Sequence, residues 1–267
     1  MSDTRIAICF FGITRSLRFT AQSVQENVLK AGSSLGHAKV FSHFYDQHEI
    51  SNPRSGEIGQ LSRDEHLLLN SDWIELEKPG LCLYKHGFED LKKMGDFWGD
   101  DFLSLRNLIH QLHSLDVVTS AALEFNPDIF VFVRPDLMYH ESLKSSIKRS
   151  LRCPKDSVLL PNWQHWQDGY NDRFAICNSL YAAKAYGKRV HSIDKYVALN
   201  DKPLHAEQLL KFSLASAGVN VRFTSDKASR VRFDGRVHHE DFIHFRIKKI
   251  IRFCRKLTEK IRRMIGF

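Results

Sequence analysis

Two segments, each directly after an apolar run, contain residues suited to binding a charged ligand. The first, GITRS at positions 12–16, follows the apolar run Arg5–Phe11. Glycine allows a ligand close to the backbone, and the planar guanidinium of Arg15 offers paired donors to a diphosphate or a base. The segment is neither a G-x-G-x-x-G fingerprint nor a Walker loop, so those two nucleotide sites are excluded. Gly12, Thr14 and Arg15 are therefore candidate donor-binding residues; the alternative is a plain turn with a solvated arginine.

The second segment, RPD at positions 134–136, follows the apolar run Ile129–Val133. A carboxylate there can bind a divalent metal such as Mn²⁺ or Mg²⁺ that neutralises a nucleotide diphosphate, or it can hydrogen-bond a donor sugar. Arg134 can pair with a phosphate or hold Asp136 ionised. Asp136 is thus a catalytic, donor-binding or metal-ligating candidate and Arg134 a donor-binding one, with a simple turn after a strand as the alternative.

A loop rich in aromatic and amide side chains extends over Asn162–Tyr170. Flat aromatic faces stack on the C–H surfaces of sugar rings, and amides match hydroxyl groups, so we expect this loop to bind an acceptor glycan. The alternatives are core packing for one of the two tryptophans and a salt bridge for the Asp172–Arg173 pair. The candidate acceptor-binding residues are Trp163, His165, Trp166, Tyr170 and Arg173.

Two carboxylates compete for the role of a general base. Glu207 lies in the first turn of a predicted helix that begins near Pro203, where the helix dipole stabilises the anion. A base there would deprotonate an attacking hydroxyl group. Helix capping explains the same residue, and Asp172 is the competing candidate.

The elements that must position these residues follow from the hydrophobic pattern. Short apolar runs alternate with helical patterns, the strongest of which extends over 101–125 and leads directly into Ile129–Val133. Such alternation is typical of an α/β fold with a largely parallel sheet, in which ligands bind beyond the carboxyl ends of the strands. Residues 51–60, which include a proline and two glycines, are predicted to be a mobile loop.

The basic charge is concentrated at the C-terminus. Phe242–Phe267 contains nine basic residues against Glu259, which leaves equal numbers of acidic and basic residues in the other 241. Apolar residues recur every three or four positions from Ile243 to Met264, which predicts an amphipathic helix. Such a helix is typical of peripheral binding to an anionic membrane, the alternative being a helix packed on the core. No motif indicates that it binds nucleic acid. The candidate membrane-binding residues are Arg246, Lys248, Lys249, Arg252, Arg255, Lys256, Lys260, Arg262 and Arg263.

Composition excludes a disordered chain, a collagen and a coiled coil. The chain of 267 residues is 43% hydrophobic and 26% charged, which are ordinary values for a globular protein. No run of 18 apolar residues occurs, and we interpret the N-terminus as a strand and not a signal peptide. Five cysteines without C-x-x-C spacing fit a reducing cytoplasm.

Several segments, in their order along the chain, resemble one family: ICFFGITRSL, KVFSHFYD, FVRPDLMY, DRFAICN and HAEQLL. They are similar to bacterial glycosyltransferases of surface-polysaccharide (capsule or lipopolysaccharide) synthesis, which have a GT-A-like nucleotide-diphospho-sugar transferase fold. The resemblance covers about residues 5–235. It implies an α/β domain with a mainly parallel central sheet flanked by helices, and a hexosyltransferase-type activity. The usual D-x-D motif is replaced by R-P-D, which leaves the use of Mn²⁺ or Mg²⁺ open.

These observations predict a catalytic domain over residues 1–241 and a basic helical tail over 242–267. The favoured hypothesis is transfer of a sugar from a nucleotide diphosphate to a lipid-linked glycan, on the cytoplasmic face of the membrane. The alternatives are a non-catalytic membrane-docking module that binds a nucleotide or glycan, and a sugar nucleotidyltransferase.

Overall fold

The computed structural model describes residues 4–251 together with Cys254 and Thr258. Within these residues, seven strands form a central sheet, and two pairs of short strands lie outside it. The strands in chain order are β1 (Arg5–Gly12), β2 (His37–Tyr45), β3 (Glu49–Asn52), β4 (Glu57–Gln60), β5 (Trp73–Glu77), β6 (Ile129–Val133), β7 (Leu137–Tyr139), β8 (Ser157–Pro161), β9 (Ala175–Cys177), β10 (Asn220–Thr224) and β11 (Ala228–Arg230).

The central sheet has the order β10-β8-β9-β6-β1-β2-β5. Its strands are parallel to one another except for β9, which is antiparallel to both β6 and β8. The chain adds β2 and β5 on one side of β1 and then returns to place β6 on the other side. The strand order therefore reverses between β1 and β6, which is where open α/β sheets bind ligands.

Helices cover both faces of this sheet. They are α1 (Leu17–Val24), α2 (Lys30–Ser33), α3 (Leu81–Lys85), α4 (Phe88–Lys92), α5 (Leu103–Glu124), α6 (Lys144–Ser150), α7 (Leu180–Gly187), α8 (Ile193–Asn200) and α9 (Ala206–Ser216), with a π-helical turn, Gln25–Leu29, between α1 and α2. In β1, Ile6, Ile8 and Phe10 pack in a core with α1 and α6, whereas Ala7 and Cys9 pack in a second core with α5, α7 and α9.

Burial on both faces explains the continuous apolar runs of β1 and β6, because neither strand has a side facing water. The predicted fold class, α/β with a mainly parallel sheet flanked by helices, is confirmed. The predicted long helix is α5, and it leads into β6 as expected.

The predicted mobile loop at 51–60 is wrong. Most of this stretch belongs to an antiparallel hairpin of β3 and β4, joined by a short 3-10 turn at Pro53–Ser55 and by Gly56 with φ of +67°. The hairpin is fixed to the body because the side chain of Glu57, at the start of β4, is fully buried. The glycines and the proline indicated a turn, but the tertiary contact of Glu57 had no local signal.

The beginning of the basic tail contacts the body. Phe242 packs edge-on against Trp163 with ring centroids 4.9 Å apart, and Phe245 donates its N–H to Asn162 O at 2.8 Å. Residues 245–251 are helical. The isoleucines of the predicted stripe are exposed both in this helix and just before it: Ile243 by 46%, Ile247 by 54% and Ile250 by 62%. The alternative in which the stripe packs on the core is therefore wrong for these residues. Leu257, Ile261 and Met264, and the basic residues Arg252, Arg255, Lys256, Lys260, Arg262 and Arg263, lie outside the described residues.

Across residues 4–251, no helix is both long enough and apolar enough to cross a membrane.

Candidate functional site

Arg15 and Asp136, predicted from separate segments, form a direct ion pair. The Arg15 guanidinium donates to Asp136 Oδ2 at 2.6 Å, across 121 residues of sequence. They meet because β1 and β6 are parallel neighbours whose carboxyl ends lie side by side, with Phe10 opposite Val133. Gly12 turns the chain out of β1 with φ of +105°, a conformation that glycine adopts without strain. The pair lies at the point where the strand order reverses.

Arg134 fixes the same carboxylate from the other side. Its Nε donates to Asp136 Oδ1 at 2.9 Å and its NH2 to Oδ2 at 2.7 Å. Burial opposes ionisation, but the guanidinium groups of Arg134 and Arg15 outweigh it and hold the pKa of Asp136 well below its usual range. Asp136 is therefore an anion whose two oxygens both already accept hydrogen bonds from arginines.

Glu57 is a functional candidate that the sequence did not indicate. Its Oε2 accepts from Arg15 at 3.2 Å, from Arg232 at 2.9 Å and from the Ser55 hydroxyl at 2.6 Å. Its Oε1 accepts the Phe233 N–H at 3.1 Å. The β3–β4 hairpin thus carries a buried carboxylate to the end of the central sheet, where it orients two arginines.

A third carboxylate, Glu240, holds two more arginines. Arg230 Nε donates to Glu240 Oε1 at 2.9 Å, and Arg173 NH2 donates to Oε2 at 3.1 Å. Arg230 and Arg232 were missed at the sequence level, although basic residues two apart next to a strand place both side chains on one face. We call Arg15, Arg134, Arg173, Arg230 and Arg232 the arginine cluster.

The arginine cluster lines an open cavity of about 1060 Å³. This cavity also brings together most of the residues predicted from sequence. Those that line it are Gly12, Arg15, Arg134, Asp136, Trp166, Asp172, Arg173 and Glu207. Thr14, Trp163, His165 and Tyr170 are not among its lining residues. The hairpin, α5 and the aromatic residues Phe97 and Trp98 also line the cavity.

The prediction that Trp163 stacks on an acceptor sugar is wrong. Its side chain is fully buried in the core, and its indole N–H donates to Asp226 O at 2.9 Å. Trp166, three residues later, is 45% exposed and lines the cavity. Trp166 therefore keeps exposed aromatic surface at the cavity, with the Lys248 ammonium 5.7 Å from its ring centroid, whereas Trp163 anchors the loop.

His165 and Tyr170 also contact protein side chains and not the cavity. The His165 ring stacks on Phe245 at 4.1 Å and its Nε2 is 2.8 Å from Pro161 O, while Tyr170 packs against Phe223. Burial lowers the pKa of His165. These two residues support the loop and the beginning of the tail.

The two base candidates lie in different environments. Asp172 accepts from Gln111 Nε2 at 3.0 Å and lies 3.8 Å from the buried guanidinium of Arg189. Glu207 is in the first turn of α9, as predicted, and its Oε2 accepts the Trp166 N–H at 2.6 Å. Within the part of the chain that the structure describes, no arginine forms an ion pair with it. Burial and the charge of Asp172 raise the pKa of Glu207 from 4.5 to about 9. A pKa this high favours the protonated form of Glu207 at neutral pH, in contrast to the ionised carboxylate that the base role requires.

Asp136 does not fit a divalent metal. Both of its oxygens are occupied by guanidinium groups, and a cation placed there would lie beside two positive charges. Among the described residues, the one group of three side chains with metal-ligand spacing is His43, Glu75 and Glu77, whose ligand atoms lie within 4.8 Å of one another. These residues belong to β2 and β5 and do not line the cavity.

Comparison with known proteins adds a distant likeness to a solved structure. The chain matches no protein-family model, and no curated protein matches it. Among solved structures it is similar to mouse xyloside xylosyltransferase 1 in its apo form, with 12% sequence identity and a TM-score of 0.43. The match covers 84% of this chain and 85% of that chain. The fold class assigned above depends on the strand order and not on this likeness.

Proposed function

We propose that the protein is a glycosyltransferase that moves a sugar from a nucleotide-diphosphate donor to a glycan acceptor. The observation that carries the proposal is the Arg15–Asp136 pair, formed by the ends of β1 and β6 where the sheet order reverses. Here the arginine cluster supplies fixed donors for a diphosphate, in a cavity large enough for a nucleotide sugar. The resemblance of the sequence segments to surface-polysaccharide glycosyltransferases supports the same function.

The donor diphosphate binds at the arginine cluster. During transfer, the bond between the anomeric carbon and the terminal phosphate oxygen breaks, and its electron pair remains on that oxygen. Guanidinium groups held in place before the reaction stabilise this developing charge. Asp136 contributes by holding Arg15 and Arg134 in position. Its carboxylate can also accept a hydrogen bond from a hydroxyl group of the donor sugar.

The acceptor binds on the side of the cavity formed by Trp166 and the start of α9. The exposed face of Trp166 stacks on a sugar ring, and the protonated Glu207 donates a hydrogen bond to a sugar oxygen. In an inverting reaction, Asp172 is the base: it removes the proton of the acceptor hydroxyl as that oxygen forms the new bond to the anomeric carbon. The raised pKa of Glu207 suits a hydrogen-bond donor, and Asp172, which also lines the cavity, is the carboxyl group that remains for the base.

The C-terminal segment attaches the enzyme to an anionic membrane. Arg246 and Lys249 are exposed beside the exposed isoleucines of the stripe, which is the combination that interfacial helices present to lipid headgroups. This attachment, together with the sequence resemblance, supports a lipid-linked acceptor in bacterial surface-polysaccharide synthesis, at the cytoplasmic face of the membrane.

A donor panel tests the proposal. The protein is incubated with nucleotide sugars of different bases and sugars, with and without oligosaccharide or lipid-linked acceptors, and released nucleotide is measured. A glycosyltransferase releases a nucleoside diphosphate and forms a new glycosidic bond. In a parallel incubation with nucleoside triphosphates and sugar phosphates, release of pyrophosphate would instead identify a nucleotidyltransferase. Tight nucleotide binding without turnover of any donor would identify a non-catalytic binding module.

A further inference from the structure

We infer that the donor diphosphate is neutralised by the arginine cluster and not by a divalent metal. This inference rests on the proposed function and names how its donor site works. It starts from the way Asp136 is bonded, since this residue is the only acid of the R-P-D segment. Its oxygens accept three hydrogen bonds from Arg15 and Arg134, so a metal would have to displace a guanidinium to reach the carboxylate.

Each carboxylate of the network bridges two arginines. Asp136 joins Arg134 to Arg15, Glu57 joins Arg15 to Arg232, and Glu240 joins Arg173 to Arg230. Within the described part of the chain, five guanidinium groups are thus held by three carboxylates. The cluster therefore keeps a surplus of two positive charges, and the diphosphate of a nucleotide sugar carries about two negative charges at neutral pH.

The arginines are close enough to repel one another. Burial, followed by the charge of Arg230, lowers the pKa of Arg173 to about 10. Burial also lowers the pKa of Arg232, and the charges of Arg15 and Arg230 act in the same direction against the opposing effect of Glu57. An anion bound between these groups would relieve this repulsion. The cluster is thus electrostatically prepared for an anion and unfavourable for a cation.

Two buried donors of the cluster have no hydrogen-bond partner among the described residues. Across residues 4–251, no acceptor lies within hydrogen-bond distance of the Nε atoms of Arg15 and Arg173, although these side chains are only 11% and 9% exposed. Buried N–H groups of this kind are normally satisfied. The arginine cluster, which lines the cavity, thus contains two N–H donors that no protein acceptor uses.

Calorimetric titration tests the inference directly. The full-length protein is titrated with a panel of nucleoside diphosphates and with the matching monophosphates, once in excess EDTA and once with Mg²⁺ or Mn²⁺. We expect one diphosphate to bind with the same affinity in both conditions and more tightly than its monophosphate. Binding that appears only with the metal would overturn the inference while supporting the proposed function. If no diphosphate binds in either condition, both the inference and the proposed function are overturned.

Variants of the cluster complete the test. Replacing Arg230→Gln or Arg232→Gln should weaken diphosphate binding in EDTA by roughly tenfold or more, the usual effect of losing a hydrogen bond to a charged group. Arg222→Gln, an exposed position on β10, is the matched control and should bind normally. Thermal unfolding of each variant verifies that it is folded. Unchanged affinity in both folded cluster variants would show that the diphosphate binds elsewhere.

Discussion

The arginine cluster and the C-terminal segment are both strongly basic, but they hold their charges in opposite ways. In the cluster, each arginine is mostly buried and bonded to a carboxylate, so its position is fixed. In the helical residues 245–251, Arg246 and Lys249 are exposed and lie beside exposed isoleucines. Fixed guanidinium groups suit one anion of defined shape, whereas exposed cations beside an apolar stripe suit a diffuse anionic surface.

This difference shows that net charge alone does not identify a ligand. The excess charge of the sequence lies entirely in the tail, yet the candidate site lies in the part of the chain where acidic and basic residues are equal in number. What distinguishes the site is the pairing of its charges, which only the fold reveals. The two regions should therefore respond differently to salt, because exposed charges are screened and buried pairs are screened much less.

The largest expected effect is loss of membrane binding on removal of residues 249–267. This truncation retains Phe242, Phe245 and the Lys248–Asp241 ion pair, so the contacts of the tail with the body remain. Cations near an anionic surface contribute about 1 kcal/mol each. We expect the full chain to sediment with anionic vesicles at low salt, and the truncated chain to remain in the supernatant. Binding of the full chain to neutral vesicles with equal strength would contradict the electrostatic part of this prediction.

The truncated protein should still act on a short soluble acceptor, because the cavity residues all precede the deletion. Its rate on a lipid-linked acceptor should fall. Equal loss on both acceptors, with the protein folded, would show that the tail belongs to the active site.

The second effect is on catalysis. Asp136→Ala frees two buried arginines and removes the anion that orients them, so we expect turnover to fall by roughly a hundredfold or more. Asp136→Asn keeps the shape and tests the charge alone, and Asp194→Ala, at an exposed position on α8, is the control. Turnover measured with the donor identified by the panel decides the matter. A folded Asp136 variant with near-normal turnover would remove this residue from the active site.

The sequence predicted the part of the site that depends on the central strands. Continuous apolar runs identified β1 and β6 as buried parallel strands, and the residues after such strands meet at one edge of the sheet, so Arg15 and Asp136 could be placed together. Glu57 could not be placed, because its bond to Arg232 spans 175 residues and its hairpin has a loop-like composition. Nor could the sequence distinguish Trp163 from Trp166, since which aromatic ring of a loop enters the core depends on its tertiary contacts.

A third prediction concerns Glu57, whose charge balances part of the cluster. Glu57→Gln leaves Arg15 and Arg232 without their shared carboxylate, and loss of one partner of a buried ion pair costs about 3 kcal/mol or more. Thermal unfolding should therefore occur roughly 6 °C lower. Because an anion can replace the missing charge, the nucleoside diphosphate should raise the unfolding temperature more in this variant than in the natural chain. Glu49→Gln, at an exposed position on the same hairpin, should show neither change.

The smallest expected effect concerns Glu207. Burial raises the pKa of Glu207, whereas the neighbouring arginines lower the pKa of Asp136. The pKa of Glu207 is about 9 in the folded protein and about 4.5 when unfolded, so between these pH values the folded state binds one more proton than the unfolded state. The free energy of unfolding therefore decreases as pH rises through this range. Glu207→Gln removes this dependence and keeps an oxygen to accept the Trp166 N–H. We expect the variant and the natural chain to unfold at nearly the same temperature near pH 5, and the variant to be more stable by about 3 °C at about pH 6, because one pH unit in this range changes the free energy of unfolding by about 1.4 kcal/mol. Glu124→Gln, at an exposed position on α5, should show no such divergence.

The opposite result, in which the natural chain is more stable than Glu207→Gln at high pH, would mean that Glu207 is ionised and has a cationic partner. Glu207 would then compete with Asp172 for the role of base.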